Sequence, residues 1–290
     1  MVVFFDIDGT IIDEQTQIIP ASTVRSVARL AELGHVPVVN TGRPYSHIDP
    51  RIKAMAFGGY VCGCGMEVRL GDAWLYQKKP DEKLCAYVMA QAERFQMQPL
   101  YEGDDGAAIY DPRHCDFPYI QEELARMLKK GFTVCSREAH PDFMKFITFS
   151  TSRQAQKGFC QAMEPFFEII DRGSGHFTEY VLKGCSKAGG MLALLDALGV
   201  PQSETLALGD STNDLPMFRI AAHTACLGGG MEELKAVSEF VTAPVLEDGI
   251  QKALEHFGLL EGHSRLASAE LTMGNGQLTF QELPSGANPK

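Results

Sequence analysis

No run of lysine or arginine longer than a pair occurs in the 290 residues, and the formal net charge is −11. Nucleic acid and anionic membrane both demand basic residues concentrated on one face, so neither is expected as a main partner. No stretch approaches the roughly 20 apolar residues needed to span a bilayer. The first ten residues, MVVFFDIDGT, lack the basic start and small-residue cleavage site of a secretory signal. The eight cysteines, at positions 62, 64, 85, 115, 135, 160, 185 and 226, lack the paired spacings of a zinc site. They read as reduced thiols of a cytoplasmic protein. Only Cys62 and Cys64 are close together, and in a strand both would face one side; without a second pair they make a weak metal site. Internal repeats and low-complexity tracts are also missing. An acidic chain can still take a phosphorylated ligand, because a few local cations and one metal reverse the sign inside a cleft.

What is present is an ordinary globular composition, 45% hydrophobic and 22% charged, in a chain somewhat long for one unit, so two domains are expected. Val2-Val3-Phe4-Phe5 is a short apolar run ending in acids, as in a buried parallel strand. Residues 22–33 place Val24, Val27, Ala28, Leu30 and Ala31 on one helical face, and Gly34 stops the helix. His35 to Asn40 is a second strand and Pro44 begins another helical stretch, an order that predicts a right-handed crossover. The pattern returns near the C-terminus: a helix at 186–198, a strand at Leu206 to Gly209, a short helix at 213–220, a strand at 222–227 and a helix at 231–237. Between the halves, a long helix at 81–96 leads into short alternating strands such as Ala107 to Tyr110 and Phe143 to Phe149, with two intervening helices. That texture suits an antiparallel sheet with helices on one face, an inserted second domain. Within 262–290, two β-prone runs around Gly-Asn-Gly form a hairpin pattern near 268–280. The hairpin has two fates open to it, the core sheet's edge or another subunit, so the oligomeric state stays open.

Four clusters carry chemistry. Asp6-Ile7-Asp8-Gly9-Thr10 puts two carboxylates at a strand's carboxyl end, where open α/β sheets place their sites, and Gly9 permits a sharp departure. Alone, this pair fits an exposed acidic turn better. Gly209-Asp210-Ser211-Thr212-Asn213-Asp214 adds two acids and an amide after another apolar strand. A helix cap needs only one such residue, whereas Asp6 and Asp210 converging would suit Mg²⁺, a hard cation that takes carboxylate oxygens. Thr41-Gly42-Arg43-Pro44 sets a hydroxyl and a glycine amide between strand and helix, a natural anion site. Lys187 stands in the first turn of a helix, against the helix dipole, which suits a bound phosphate as well as an ordinary surface position.

In their order, these segments, DIDGTII, NTGRP, LKGCSKAGGM and LGDSTNDLPM, resemble the four motifs of the haloacid-dehalogenase superfamily, and most closely its Cof-type branch with a type II cap (subclass IIB). The resemblance covers about residues 1–258. It implies an α/β fold: a three-layer Rossmann-like core with a mainly parallel sheet, plus an inserted α+β cap domain. The core would comprise 1–80 and 183–260, the cap 81–182, and a hairpin tail 261–290. It also implies a Mg²⁺-dependent phosphatase acting on a small phosphorylated metabolite, a sugar phosphate or similar, through an aspartyl-phosphate. Asp6 would be the nucleophile and Asp8 the general acid and later base. Mg²⁺ would be held by Asp6, the Asp8 carbonyl, Asp210 and Asp214, the last through a water or from farther out. Ile7, Thr41, Gly42, Lys187 and Asn213 would bind the phosphoryl group. One departure stands out: the branch usually carries Asn-Gly where residues 60–65 read YVCGCG, which sets Cys64 at the asparagine's place.

Leaving-group choice is expected in the cap, near Glu102 to Asp105 or His114 to Asp116. His176 and Glu179, near the cap exit, read either as substrate contacts or as hinge and surface residues. A sugar phosphomutase is the nearest rival. Dehalogenase chemistry would leave Asp8 without a task, and related ion pumps need membrane spans. A non-catalytic phosphometabolite-binding protein on the same scaffold would be expected to have lost a motif acid.

Overall fold

The run Val2–Phe5 forms strand β1 and is buried from end to end because both of its faces are covered. Val3 and Phe5 enter one apolar cluster with Val27, Leu30, Ile250 and Leu254. Val2 and Phe4 enter another with Met191, Leu194, Leu195 and Leu198. Successive side chains of a strand alternate faces, so one sheet is sandwiched between two helical layers. The structure, a computed structural model, describes residues 1–110, 118–129, 133–136, 142–150, 152–171, 177–261, 269–274 and 277–282.

After β1 come helix α1 (Ala21–Glu32), strand β2 (Val36–Asn40), helix α2 (Pro50–Lys53) and strand β3 (Gly59–Cys62). An antiparallel extension follows, β4 (Glu67–Leu70) and β5 (Ala73–Gln77). The sequence reading assigned no strands at these two positions. The chain then builds α3 (Glu82–Arg94), β6 (Gln98–Glu102), β7 (Ala107–Tyr110), α4 (Pro118–Lys129), β8 (Thr133–Ser136) and β9 (Lys145–Phe149). Next are α5 (Arg153–Met163), β10 (Phe167–Asp171) and β11 (Phe177–Leu182). It returns through α6 (Lys187–Leu198), β12 (Thr205–Gly209), α7 (Leu215–Phe218), β13 (His223–Cys226), α8 (Glu232–Lys235), β14 (Phe240–Val241) and α9 (Gly249–His256). Strands β15 (Ala269–Gly274) and β16 (Gln277–Glu282) pair with each other as an antiparallel hairpin in a sheet of their own.

The first sheet runs β14-β13-β12-β1-β2-β3-β4-β5 and is parallel from β14 to β3. Because β1 has β2 on one side and β12 on the other, the strand order reverses there, and the crevice beyond its carboxyl end is the place for a ligand. The second sheet, β10-β11-β9-β6-β7-β8, is antiparallel except for the β7–β8 pair. Its strands all lie between β5 and α6. Helices α3 and α5 cover one face through Val88, Ala92, Phe159 and Met163. Helix α4 covers part of the other through Ile120, Leu124 and Met127, so helices lie on both faces of this sheet rather than on one.

The buried side of α1 differs from the expected stripe. Val24 is 42% exposed and Ala31 is exposed, while Ser22, Thr23, Ser26, Val27 and Leu30 are buried. The cause is polar: Ser22 Oγ donates to Asp248 Oδ1 at the start of α9, which rolls the helix toward its hydroxyl residues. Cys62 and Cys64 also part company, Cys62 in the cluster with Phe5 and Cys64 in a separate one with Met144 and Val181. The strand ends at Cys62, and Cys64 lies beyond it in a left-handed turn.

Within the second sheet Phe146 is wholly buried, stacked on Tyr180 at 4.6 Å and edge-on to Phe167 at 5.2 Å. Phe146→Ala is expected to cost about 3–5 kcal/mol of unfolding free energy. Urea denaturation checks this; a midpoint equal to that of the wild type would refute it.

Candidate active site

Strand β1 ends at the first acid. The Asp6 N–H donates to Leu208 O at 3.0 Å, tying this exit to β12. Helix α6 brings the second element, its Ser186 N-cap accepting from the Gly189 N–H. From its first turn Lys187 reaches the sheet's end, with Nζ 2.6 Å from Asp6 Oδ1 and 2.6 Å from Asp214 Oδ1. The lysine is 1% exposed. Burial opposes its charge, but Asp214 and Asp6 outweigh that, and its pKa is raised.

Asp214 does two jobs. Its Oδ2 accepts from the N–H groups of Asp210 (3.0 Å) and Ser211 (3.1 Å), which folds the loop after β12 into a capping box. That fold aims Asp210 at Asp6. Ligand oxygens of Asp6, Asp210 and Asp214 lie within 4.8 Å of one another. Gly9, at φ +73°, makes room: a Cβ there would overlap the Asp210 carboxylate. Burial pushes Asp6 up to about 7 against the pull of Lys187, and burial with the neighbouring Asp6 and Asp214 pushes Asp210 up to about 9. Three carboxylates share one ammonium, and Asp210 Oδ1 is buried without a hydrogen-bond partner among the described residues. A hard divalent cation fits this donor set, supplying the missing positive charge and filling the orphaned oxygen.

The third element is the loop after β2. Asn40 Nδ2 donates to Lys187 O at 3.2 Å, joining it to α6. The Thr41 N–H donates to Val61 O, the Gly63 N–H to Arg43 O and the Cys64 N–H to Thr41 O, so residues 61–64 brace residues 41–43. Gly65 adds a close approach, since a Cβ there would strike Ser186 O. Cys64 takes φ +54°, a conformation that asparagine adopts more readily than cysteine, which gives YVCGCG its physical meaning. Arg43 forks onto Asp8, with Nε donating to Oδ2 at 2.6 Å and the second nitrogen to Oδ1. The second sheet reaches the same loop: Lys145 Nζ donates to Gly42 O at 2.7 Å and pairs with Glu179 Oε1.

Thus the structure brings Asp6, Asp210, Asp214 and Lys187 into one cluster. It sets Asp8 beside Arg43 and puts Gly42 beneath Lys145. Thr41 is buried, its Oγ1 accepting from the Arg43 N–H. Asn213 Oδ1 accepts from Ser211 Oγ at 2.7 Å, so its amide nitrogen is the end left for a ligand. The Ile7 side chain is in the core, which leaves its main chain for any contact. His114 to Asp116 and His176 lie outside the described residues. Sequence reasoning missed Arg43 and Lys145. The signals were a cation in a loop built for an anion, and a lone lysine in the apolar run FMKFITF.

A family model of haloacid dehalogenase-like hydrolases matches residues 3–254. The chain belongs to the haloacid dehalogenase-like hydrolases. This hydrolase is 27% identical to the YkrA protein of Bacillus subtilis over 261 residues, 89% of this chain and 98% of that one. It is 25% identical over 270 residues to 5-amino-6-(5-phospho-D-ribitylamino)uracil phosphatase YitU of the same organism, 88% of this chain and 96% of that one. Among solved structures, the subclass IIB sugar phosphatase BT4131 superposes with a TM-score of 0.74 at 25% identity, covering 89% of this chain and 99% of that one. Within the family, this hydrolase is a phosphatase of the Cof-type, subclass IIB branch.

Removing the cation between the acids should expose their repulsion. Lys187→Met is expected to lose about 3–5 kcal/mol of stability, the cost of breaking a buried ion pair, and to regain part of it in magnesium chloride. Thermal unfolding with and without the salt reads both effects; a variant as stable as the wild type in either buffer would contradict the ion-pair account.

Proposed function

We propose that the chain is a magnesium-dependent phosphomonoester hydrolase that cleaves a small phosphorylated metabolite through an aspartyl-phosphate on Asp6. The observation that carries this reading is the Asp6–Lys187–Asp214 ion cluster with Asp210 beside it, at the carboxyl ends of β1 and β12. A nucleophilic carboxylate needs an anionic phosphate brought to it, and buried positive charge at fixed positions does that. In this reading residues 1–80 and 183–260 are the catalytic core, 81–182 the cap and 261–290 a tail.

The steps follow from the residues. Asp6 Oδ attacks phosphorus, forming the Asp6–phosphoryl bond as the substrate's ester P–O bond breaks. Asp8 delivers a proton to the departing alkoxide, then takes one from water as that water attacks the phosphoryl group. The second attack releases inorganic phosphate and restores the Asp6 carboxylate. Lys187, the Thr41 hydroxyl, the main chain at Ile7 and Gly42, and the Asn213 amide hold the phosphoryl oxygens. Arg43 holds Asp8 as a carboxylate in this arrangement. Asp8 must therefore leave that fork and take up a proton from solvent before it serves as the acid, and the proton it later takes from water restores the protonated form. Asp6, the Asp8 carbonyl, Asp210 and Asp214 would hold Mg²⁺, which supplies Lewis-acid charge neutralisation when bound. The cap would close over the site and keep bulk water out during the first transfer.

The relatives support a small polyhydroxylated substrate: YitU is named for a phosphorylated ribityl compound and BT4131 for sugars. No described helix is long and apolar enough to cross a membrane. We place the protein in the cytoplasm, where the seven free thiols among the described residues would stay reduced.

Asp6→Asn is expected to lower kcat by at least roughly a thousandfold while circular dichroism stays native. Asp8→Ala should also collapse turnover, more severely for alkyl than for aryl phosphates, because a poor leaving group depends most on the acid. Steady-state kinetics on both esters, with and without Mg²⁺, check this; appreciable turnover by Asp6→Asn would sink the nucleophile assignment.

A further inference from the structure

One face of the second sheet changes character along its strands. Register sets Leu100 opposite Ile147 and Glu102 opposite Lys145, and places Glu179 opposite Ile147 from the other side. Alternation then puts Leu100, Glu102, Lys145, Ile147, Phe149 and Glu179 on the same face. That face is apolar where α4 lies on it. At the end that meets the Gly42 loop it carries three charges.

Two of these three are matched. Lys145 pairs with Glu179 and donates to Gly42 O, and in the same loop Arg43 pairs with Asp8. Glu102 is left over. Its field reaches Lys145, Arg43 and His47, yet its Oε2 is buried with no hydrogen-bond partner among the described residues. His47 is nearly buried, and that burial lowers its pKa, which disfavours its charged form. A buried carboxylate oxygen without a donor is costly, and Glu102 lies near enough to Arg43, the partner of Asp8, to act on its charge.

We infer that Glu102 is the residue that reads the leaving group: it accepts a hydrogen bond from a hydroxyl of an uncharged, polyhydroxylated leaving group and turns away a second phosphate. This rests on the phosphatase reading of Asp6. The surplus negative charge repels another anion, which sets a monophosphate apart from a bisphosphate. A cationic amine is disfavoured by Arg43 and Lys145, whose charges already feel the same carboxylate. A hydroxyl satisfies Glu102 without offending either pair.

The test compares the wild type, Glu102→Ala and Glu102→Gln on four probes: a hexose 6-phosphate, its 2-amino analogue, a hexose 1,6-bisphosphate and p-nitrophenyl phosphate. In Glu102→Ala, kcat/KM for the hexose monophosphate relative to p-nitrophenyl phosphate is expected to fall about 10–100-fold, the worth of a hydrogen bond to a charged group. In the near-isosteric Glu102→Gln, the bisphosphate should gain on the monophosphate by roughly tenfold as the repulsion goes. The proposal is overturned if neither ratio moves, or if the wild type prefers the amino analogue or the bisphosphate. Unmoved ratios in an enzyme that still depends on Asp6 remove Glu102 alone. A wild type that hydrolyses none of the four removes the phosphatase reading with it.

Discussion

The ammonium of Lys187, held between Asp6 and Asp214, is the contact on which the rest of the site depends. Its partners come from the end of β1 and the loop after β12, and the lysine itself from the first turn of α6. A lysine there works against the helix dipole, and burial works against its charge. Two carboxylates at 2.6 Å offset both. The converse holds as well, since neither acid tolerates such burial without it. Segments from both ends of the chain are thereby locked to one point at the sheet's switch position. The cluster still carries one lysine against three acids, and a divalent cation would bring its formal charge from −2 to zero.

The loop of residues 41–43 is the second constraint, because three parts of the molecule meet on it. From below, residues 61–64 brace its backbone with hydrogen bonds. From above, Lys145 grips Gly42 O. Sideways, Arg43 clamps Asp8. Any shift of the second sheet that pulls Lys145 away acts on the same few peptide units that orient Asp8. The position of the second sheet and the orientation of Asp8 are therefore mechanically joined.

Much of this was legible in the sequence where chemistry sits at the end of an apolar run. Val2–Phe5 and Leu206–Gly209 announce their strands by burial on both faces, so the acids following them stand out. Asp6, Lys187, Asp210 and Asp214 belong together because the crossover rules bring those strand ends side by side. The antiparallel strands β4 and β5 were not visible: Glu67 and Arg69 interrupt the apolar pattern, because Glu67 is buried to accept from the Tyr45 N–H and Gln77. The roll of α1 was hidden too, since it follows from a hydroxyl meeting Asp248, 226 residues away. Lys145 and Glu179 reach the site only through pairing within the insert, and no local spacing encodes that register.

The two ends of the site differ in sign, and that difference gives a substrate its direction. At the core end the loops offer Lys187, an anion-binding turn and a cluster whose acids suit a cation, so a phosphate is drawn there. At the cap end the pairs Lys145–Glu179 and Arg43–Asp8 cancel internally, and Glu102 remains as surplus negative charge. A phosphomutase must seat a phosphate at either end of its sugar in turn, and so needs cationic groups at both. Here the second end favours a hydroxyl and resists an anion. In the proposed reaction, a leaving group released from a phosphorylated Asp6 would find no charge to hold it, and water would be the nucleophile that this polarity admits.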